Sequence, residues 1–295
     1  MPRAIFSLLL ACLAAGAVAA AELPAPWKAQ EEFWGAPGWL QDGVWAIGFP
    51  RSDLNVMVEG VPLESDLGLT SRLWFKPLTR GLEVRGRLVL LDQECRRVEE
   101  RLLRDGFRVE GFGNFLLGEA PAVKQLEFSG KGLASVLNPE LREVLRLTGT
   151  HPVPVSFPTP GPGAADGWEA LQTELGLRGW VQGRVLWILS PPFTPVSDPA
   201  PGYCSLRLQR DGPTLWVVGE NWLAPSQSRG LLALLGRARL TLTAEETAGD
   251  AVRVRWWGRG QQEDLAPVLS RVLALGAAAQ GPTPTPAASP DPEGF

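Results

Sequence analysis

Histidine is nearly missing. The 295 residues hold one, His151, beside three cysteines and one tyrosine. A single His followed by Pro152 in a proline-rich stretch argues against a Ser–His or Cys–His nucleophilic pair. One His and two cysteines on apolar faces cannot assemble a Cys/His zinc site either. There is no glycine-rich loop ending in Gly-Lys-Ser/Thr, no His pair at helical spacing and no Gly-x-Ser-x-Gly elbow. Gly111-Phe112-Gly113 opens like a dinucleotide loop, but it lacks the third glycine and follows a helical stretch. No cofactor and no metal are therefore expected. Basic runs are also absent, and the net charge is -4, which removes nucleic acid and anionic membrane surfaces as partners.

Long apolar runs are confined to the N-terminus. Arg3, the apolar stretch Ala4 to Leu13 and the small residues Ala17 to Ala21 read as a secretory signal over residues 1–21. No later segment is long and apolar enough for a transmembrane span, so the protein is expected in the bacterial periplasm or outside the cell. Leu9-Leu10-Ala11-Cys12 resembles a lipoprotein cleavage box that would place a lipid anchor on Cys12. The chain stays apolar for nine residues beyond it, which argues against that anchor. Cys95 shares a helical stripe with Val98 and Leu102, and Cys204 alternates with Leu206 and Leu208. Both read as buried free thiols.

What is present is a duplication. Trp27, Gly35, Gly38, Trp39, Leu40, Gln41, Val44, Ile47 and Pro50 recur as Trp168, Gly176, Gly179, Trp180, Val181, Gln182, Val185, Ile188 and Pro191, 141 residues later. Asn138-Pro139-Glu140-Leu141 recurs as Ala266-Pro267-Val268-Leu269, 128 residues later, so the second copy has lost loop residues. The fold class is α+β, as two tandem homologous units, each a mostly antiparallel sheet with helices on one face. The units span residues 22–149 and 168–277. A linker with five prolines joins them over residues 150–167, and a Pro-rich tail occupies 278–295. In the first unit Asp92 is the expected N-cap of a helix closed by Gly106, and Asn138 with Pro139 the expected start of the last helix.

Twelve tryptophans invite a sugar-stacking role. Trp27/Trp168 and Trp39/Trp180 are shared between the repeats, which favours core or inter-unit packing. Of the adjacent pair Trp256-Trp257, one ring should enter a one-sided core and the other reach an edge or interface.

Gly43 to Leu54, Val58-Glu59-Gly60-Val61, Leu67 to Ser71, Gly86 to Leu91 and Leu116 to Val123 together resemble the LppY/LpqO family, bacterial exported domains of unknown function. The likeness covers the first unit well and the second weakly. Members typically carry His-Asn-His where this chain has Gly113-Asn114-Phe115, and His at the positions of Glu127 and Lys131. The resemblance therefore implies that any histidine-dependent activity of the family is missing here. Matched polar positions that survive are Arg51, Asp53, Glu94, Asn114 and Glu119. In a ligand-binding reading, Arg51 anchors an anionic group and Asp53 or Glu119 orients it. In a structural reading, Arg51 to Asp53 form a turn, Glu94 complements a helix dipole and Glu119 closes a hairpin.

The leading expectation is a non-catalytic protein holding an unknown small molecule or envelope component at the cleft between the units. The competing one is an enzyme using Asp53, Glu94 or Glu119 as acid, base or hard-metal ligand.

Overall fold

The computed structural model describes residues 24–41, 43–150, 167–190 and 201–277. Cys12, His151 and Pro191, with the regions read from the sequence as a secretory signal and a tail and most of the proline-rich linker, lie outside the described residues. The first unit runs α1 (Ala25–Trp34), β1 (Trp39–Gln41), β2 (Val44–Pro50), β3 (Met57–Val58), β4 (Val61–Pro62), β5 (Thr70–Pro77), β6 (Leu82–Leu91), α2 (Asp92–Arg104), β7 (Arg108–Asn114), β8 (Glu119–Ala120), β9 (Val123–Gly132) and α3 (Ala134–Arg146). The second runs α4 (Glu169–Leu175), β10 (Trp180–Gln182), β11 (Val185–Ser190), β12 (Tyr203–Asp211), β13 (Thr214–Leu223), α5 (Pro225–Arg237), β14 (Thr241–Ala248), β15 (Ala251–Gln261) and α6 (Gln262–Ala277). Both six-stranded sheets are antiparallel and share one strand order: β1-β2-β5-β6-β9-β7 and β10-β11-β12-β13-β15-β14. This is the α+β pair read from the sequence.

Strand alternation builds each layer. In β6, Leu82, Val84, Leu88 and Leu90 join the helix-side core with Val98 and Leu102 of α2 and Leu141 and Val144 of α3. Glu83, Arg85 and Arg87 point the other way. The second unit repeats this with Leu206, Leu208, Val217 and Trp256 packed beneath α4, α5 and α6. Trp27 and Trp168 occupy equivalent places in the two cores. Cys95 and Cys204 are free, and burial pushes the Cys204 thiol up to about 12.

Two helix starts differ from the sequence expectation. Leu91, not Asp92, is the N-cap of α2, and its amide is capped by the Glu94 carboxylate at 2.8 Å. The acid at the third helical position reaches back to the N-cap amide, as the acidic member of a capping box does. Helix α3 begins at Ala134, four residues before Asn138, and Pro139 lies inside it. Asn138 is instead buried and donates to Gln30 Oε1 at 3.0 Å. Pro267 sits at the same sixth position of α6, so both copies keep an internal proline.

The faces turned away from the helices pack on each other, giving helix, sheet, sheet, helix layers. The ladder registers fix residue equivalence. Gly48 lies opposite Arg72 and Arg72 opposite Arg87, while Leu189 lies opposite Ser205 and Ser205 opposite Glu220. Gly86 faces Phe128 as Gly219 faces Trp256. Thus Arg72 corresponds to Ser205, Trp74 to Arg207, Arg87 to Glu220, Gln125 to Arg253 and Glu127 to Arg255.

Contacts between the sheets follow a pseudo-twofold relation. Glu127 pairs with Arg253 at 2.5 Å, and the equivalent residues Arg255 and Gln125 bond at 3.1 Å. Arg87 meets its own equivalent, Glu220, at 3.1 Å, so the pseudo-axis passes between them.

The two halves flanking that axis are filled differently. In the first unit the chain between β2 and β5 forms β3, β4 and a 3₁₀ turn over Ser65–Leu67, and β8 pairs with β3. Val56, Val58, Leu67, Leu69, Phe115 and Leu116 from this region wedge against Val185, Trp187, Trp216, Val218 and Trp257 of the second sheet. Trp216 and Trp257 stack there, 5.8 Å apart and 3° from parallel. Gln209 ties the insert down by donating to the Pro62 carbonyl and accepting from the Glu64 amide, both at 2.8 Å. Of the adjacent tryptophans, then, Trp256 enters the helix-side core and Trp257 the interface.

Candidate functional site

The five polar residues singled out in the sequence are placed in three locations. Arg51 is wholly enclosed. Its Nε and Nη2 donate to Asp53 at 2.8 and 2.9 Å, and its Nη1 and Nη2 to Glu94 at 2.8 and 3.1 Å. Nη1 also reaches the Val89 carbonyl at 2.5 Å. Burial works against the Arg51 charge, but the two carboxylates outweigh it and raise its pKa. Glu94 further accepts from the amides of Leu91 and Gly149 at 2.8 and 2.9 Å. This group therefore pins the end of β2, the start of α2 and the end of α3 together. Asn114 accepts from Lys124 Nζ across the β7–β9 ladder at 2.6 Å. Glu119 accepts from the amides of Leu116 and Val123 at 3.4 and 3.2 Å, stapling the hairpin. Arg51, Asp53 and Glu94 come together; Asn114 and Glu119 stand apart from them and from each other.

The large concave space lies elsewhere, between the two sheets. The first-unit equivalents of Trp187, Arg207 and Val218, which meet the insert, are Ala46, Trp74 and Arg85. These three line a cavity of about 530 Å³. The cavity is thus the half of the pseudo-symmetric interface that the insert does not fill, with Trp187 and Arg207 on its boundary. Its volume falls in the range of small-molecule sites, roughly 300–1,000 Å³.

Both units furnish its walls. Trp39, Trp74, Trp180, Trp187 and Trp222 supply indoles, and Tyr203 and Ser205 supply hydroxyls. Trp180 and Trp187 stack at 5.8 Å. Arg87 bonds Glu127 at 2.8 Å and Glu220 at 3.1 Å, and Arg253 reaches Glu246 at 3.3 Å besides its Glu127 pair. Burial would raise the Glu127 carboxyl, but Arg87 and Arg253 outweigh it and hold the pKa at about 2. Glu220 is likewise held well below the usual carboxylate range, burial being overcome by Arg87, Arg253, Arg255 and Arg207. The Arg72 and Arg207 guanidiniums lie 4.2 and 5.1 Å from the Trp187 ring centre.

None of the five sequence-selected residues lines this cavity. One sequence signal for it exists: arginine and tryptophan alternating on the non-helix face, as in Arg72/Trp74 and Arg253/Arg255/Trp257. Of the positions tied to family histidines, Gly113 and Glu127 are diagonal neighbours on the β7–β9 ladder, Gly113 opposite Gln125 and Glu127 opposite Gly111. Gly113 sits 3.1 Å, measured from an added Cβ, from Arg255. Glu127 lies in the cavity wall, Phe115 packs in the interface core and Lys131 pairs with Glu83 at 3.6 Å. Among the described residues no group of three or more His, Cys, Asp or Glu is placed to hold a metal ion.

The protein is, in class, a duplicated α+β structure whose two sheets face each other around an aromatic and arginine-rich cavity. Residues 28–147 match the family described as "Domain of Unknown Function (DUF1259)". A search of curated proteins gives no match. Among solved structures, the chain is similar to YbjN from E. coli at 11% identity and a TM-score of 0.21, covering 41% of this chain and 94% of that one. It is similar to TP0453, crystal form I, at 14% identity and a TM-score of 0.20, covering 79% and 94%. Scores this low establish no shared fold.

Proposed function

We propose that this is an exported, non-catalytic binding protein of the LppY/LpqO type that holds a small molecule or envelope component between its two units. The observation that carries the reading is the cavity of about 530 Å³ whose walls are drawn from both sheets. A two-sheet interface that served packing alone would be closed on both sides of its pseudo-axis, since buried polar surface left without a partner is costly. Here one side is plugged by apolar insert residues and the other keeps indoles, guanidiniums and carboxylates around open space. The signal-like residues 1–21 support export, with the periplasm or the medium as destination.

Carboxylate chemistry has less support. Glu94 spends both oxygens on Arg51, Leu91 and Gly149, Asp53 spends both on Arg51, and Glu119 is held through Oε1 by two backbone amides in a hairpin outside the cavity wall. A general base needs a free lone pair aimed at substrate.

The test is binding of a small-molecule panel to the mature chain, read by tryptophan fluorescence and by native mass spectrometry. Leu189 lies in the cavity wall and is half-buried, so Leu189→Trp adds volume there and should abolish binding while the fold survives. Undiminished binding in Leu189→Trp would move the site elsewhere.

A further inference from the structure

The charges around the cavity are unevenly distributed. Five arginines line it against four glutamates. Glu127, Glu220 and Glu246 are engaged by Arg87, Arg253 and Arg255, and Glu110 accepts from Ser129 at 2.6 Å. Glu127, Glu220 and Glu246 thus gather on the Arg87–Arg253 side, while Asp66 is the carboxylate that acts on Arg72. On the other side Arg72 and Arg207 share the Trp187 ring. Burial first, then Arg207 and Arg87, lowers the Arg72 pKa well below its usual value. Burial, then Arg87, brings Arg207 down to about 10. Both guanidiniums stay charged at neutral pH; burial is the main cause of the two shifts, and it is the placement of two guanidiniums over one indole that gathers positive charge around Trp187.

The remaining wall decides what carries the complementary anion. Aliphatic side chains are scarce in the lining, with Leu189 and Ala46 as examples, whereas five indoles are present. A long acyl chain would meet little matching surface. Flat rings suit the C–H faces of a pyranose. Ion-paired Arg and Glu beside Tyr203 and Ser205 offer donors and acceptors together, as ring hydroxyls require. The geometry points to an anionic carbohydrate as the ligand, its carboxylate or phosphate at Arg72 and Arg207 and its ring on the surrounding indoles. This rests on reading the cavity as a ligand site.

The experiment is calorimetric titration of the mature chain with digalacturonate, glucose 1-phosphate, cellobiose and naphthalenesulfonate, each repeated with Arg207→Gln and Trp74→Leu. At least one of the two acidic sugars should bind ten times or more tighter than cellobiose, and the better of them identifies the anion. Raising the salt concentration should weaken it, and Arg207→Gln should cost tenfold or more. Because Arg207 is buried and its variant can unfold, Trp74→Leu, at a half-buried position, serves as the second probe. It should weaken acidic sugars at least fivefold with an unchanged circular dichroism spectrum. Equal binding of cellobiose, or binding of naphthalenesulfonate alone, would overturn the anionic-sugar assignment while leaving the cavity a ligand site. If nothing on the broad panel binds in a way that Leu189→Trp blocks, the binding reading itself fails.

Discussion

Arg87 and Glu220 hold the same place in the two units and pair with each other at 3.1 Å. On a true twofold axis a residue meets its own copy, and two identical charges there would repel in a poorly solvated place. A duplicated chain escapes that constraint because the copies can diverge to opposite signs. The same inversion separates Glu127 from Arg255. The interface has therefore become specific to this intrachain pairing, and the asymmetry that allowed a salt bridge on the axis also allowed one side to be plugged and the other left hollow.

Arg87 should be energetically coupled to Glu220. Arg87→Met strands part of the carboxylate charge of Glu127 and Glu220 and is expected to cost about 3–5 kcal/mol. Arg87→Met with Glu220→Met removes both partners and should cost clearly less than the sum of the single changes. Denaturant titration of the four proteins gives the coupling energy directly. Additive losses would mean that the pair contributes no interaction.

Acid should loosen the interface before it loosens the cores. Glu127 is held at about 2 against an ordinary value of 4.5. A carboxyl lowered in the folded state adds stability above its unfolded pKa, and that stability drains away as the pH falls towards the folded one. The midpoint of thermal unfolding should thus drop steeply between about pH 5 and pH 2. Glu127→Gln should lower the midpoint at pH 7 and flatten the slope through that window. An unchanged slope in the variant would assign the acid sensitivity to other groups.

The duplication and the layer class were legible because core positions are constrained in both copies. Trp27 and Trp168, or Ile47 and Ile188, face the same helices and keep their chemistry. A cleft between the units was expected, but its lining was only partly legible: Trp39 and Trp180 are kept in both copies, whereas other wall positions are where the copies parted, as with Arg72 against Ser205, Trp74 against Arg207 and Ala46 against Trp187. Alternating arginines on a strand also look like a solvent-facing edge, and only the second sheet buries them. Asp92 misled because Leu91 takes the N-cap and Glu94 accepts its amide, and Asn138 misled because α3 begins four residues earlier and leaves its side chain to bond Gln30.

Gly86 and Gly219 mark a second relic, with Phe128 and Trp256 lying over them. A methyl group at Gly219 would collide with the Trp256 indole, which is tethered through Nε1 to Asn221 Oδ1 at 2.8 Å. Gly219→Ala should therefore destabilise by about 1–3 kcal/mol. Gly236 is the control: it is exposed within α5, with nothing near an added Cβ. Gly236→Ala should stabilise by about 0.5–1 kcal/mol through helix propensity. Thermal melts of the two variants should shift in opposite directions.

Arg51 separates structure from chemistry in the first unit. Its charge is buried against Glu94, whose side chain is 4% exposed, and against Asp53, which is 34% exposed. Glu94→Ala would strand the guanidinium and release the amides of Leu91 and Gly149, an expected loss of about 3–5 kcal/mol. Asp53→Asn, at the partly wet end, should cost about 1 kcal/mol or less. Because the network lies outside the cavity wall, ligand affinity in Asp53→Asn should stay within about twofold of the parent protein, as distant sites are close to additive. A turnover activity that vanished in Asp53→Asn with the melting temperature intact would instead make this carboxylate a participant in chemistry, and the non-catalytic reading would fall.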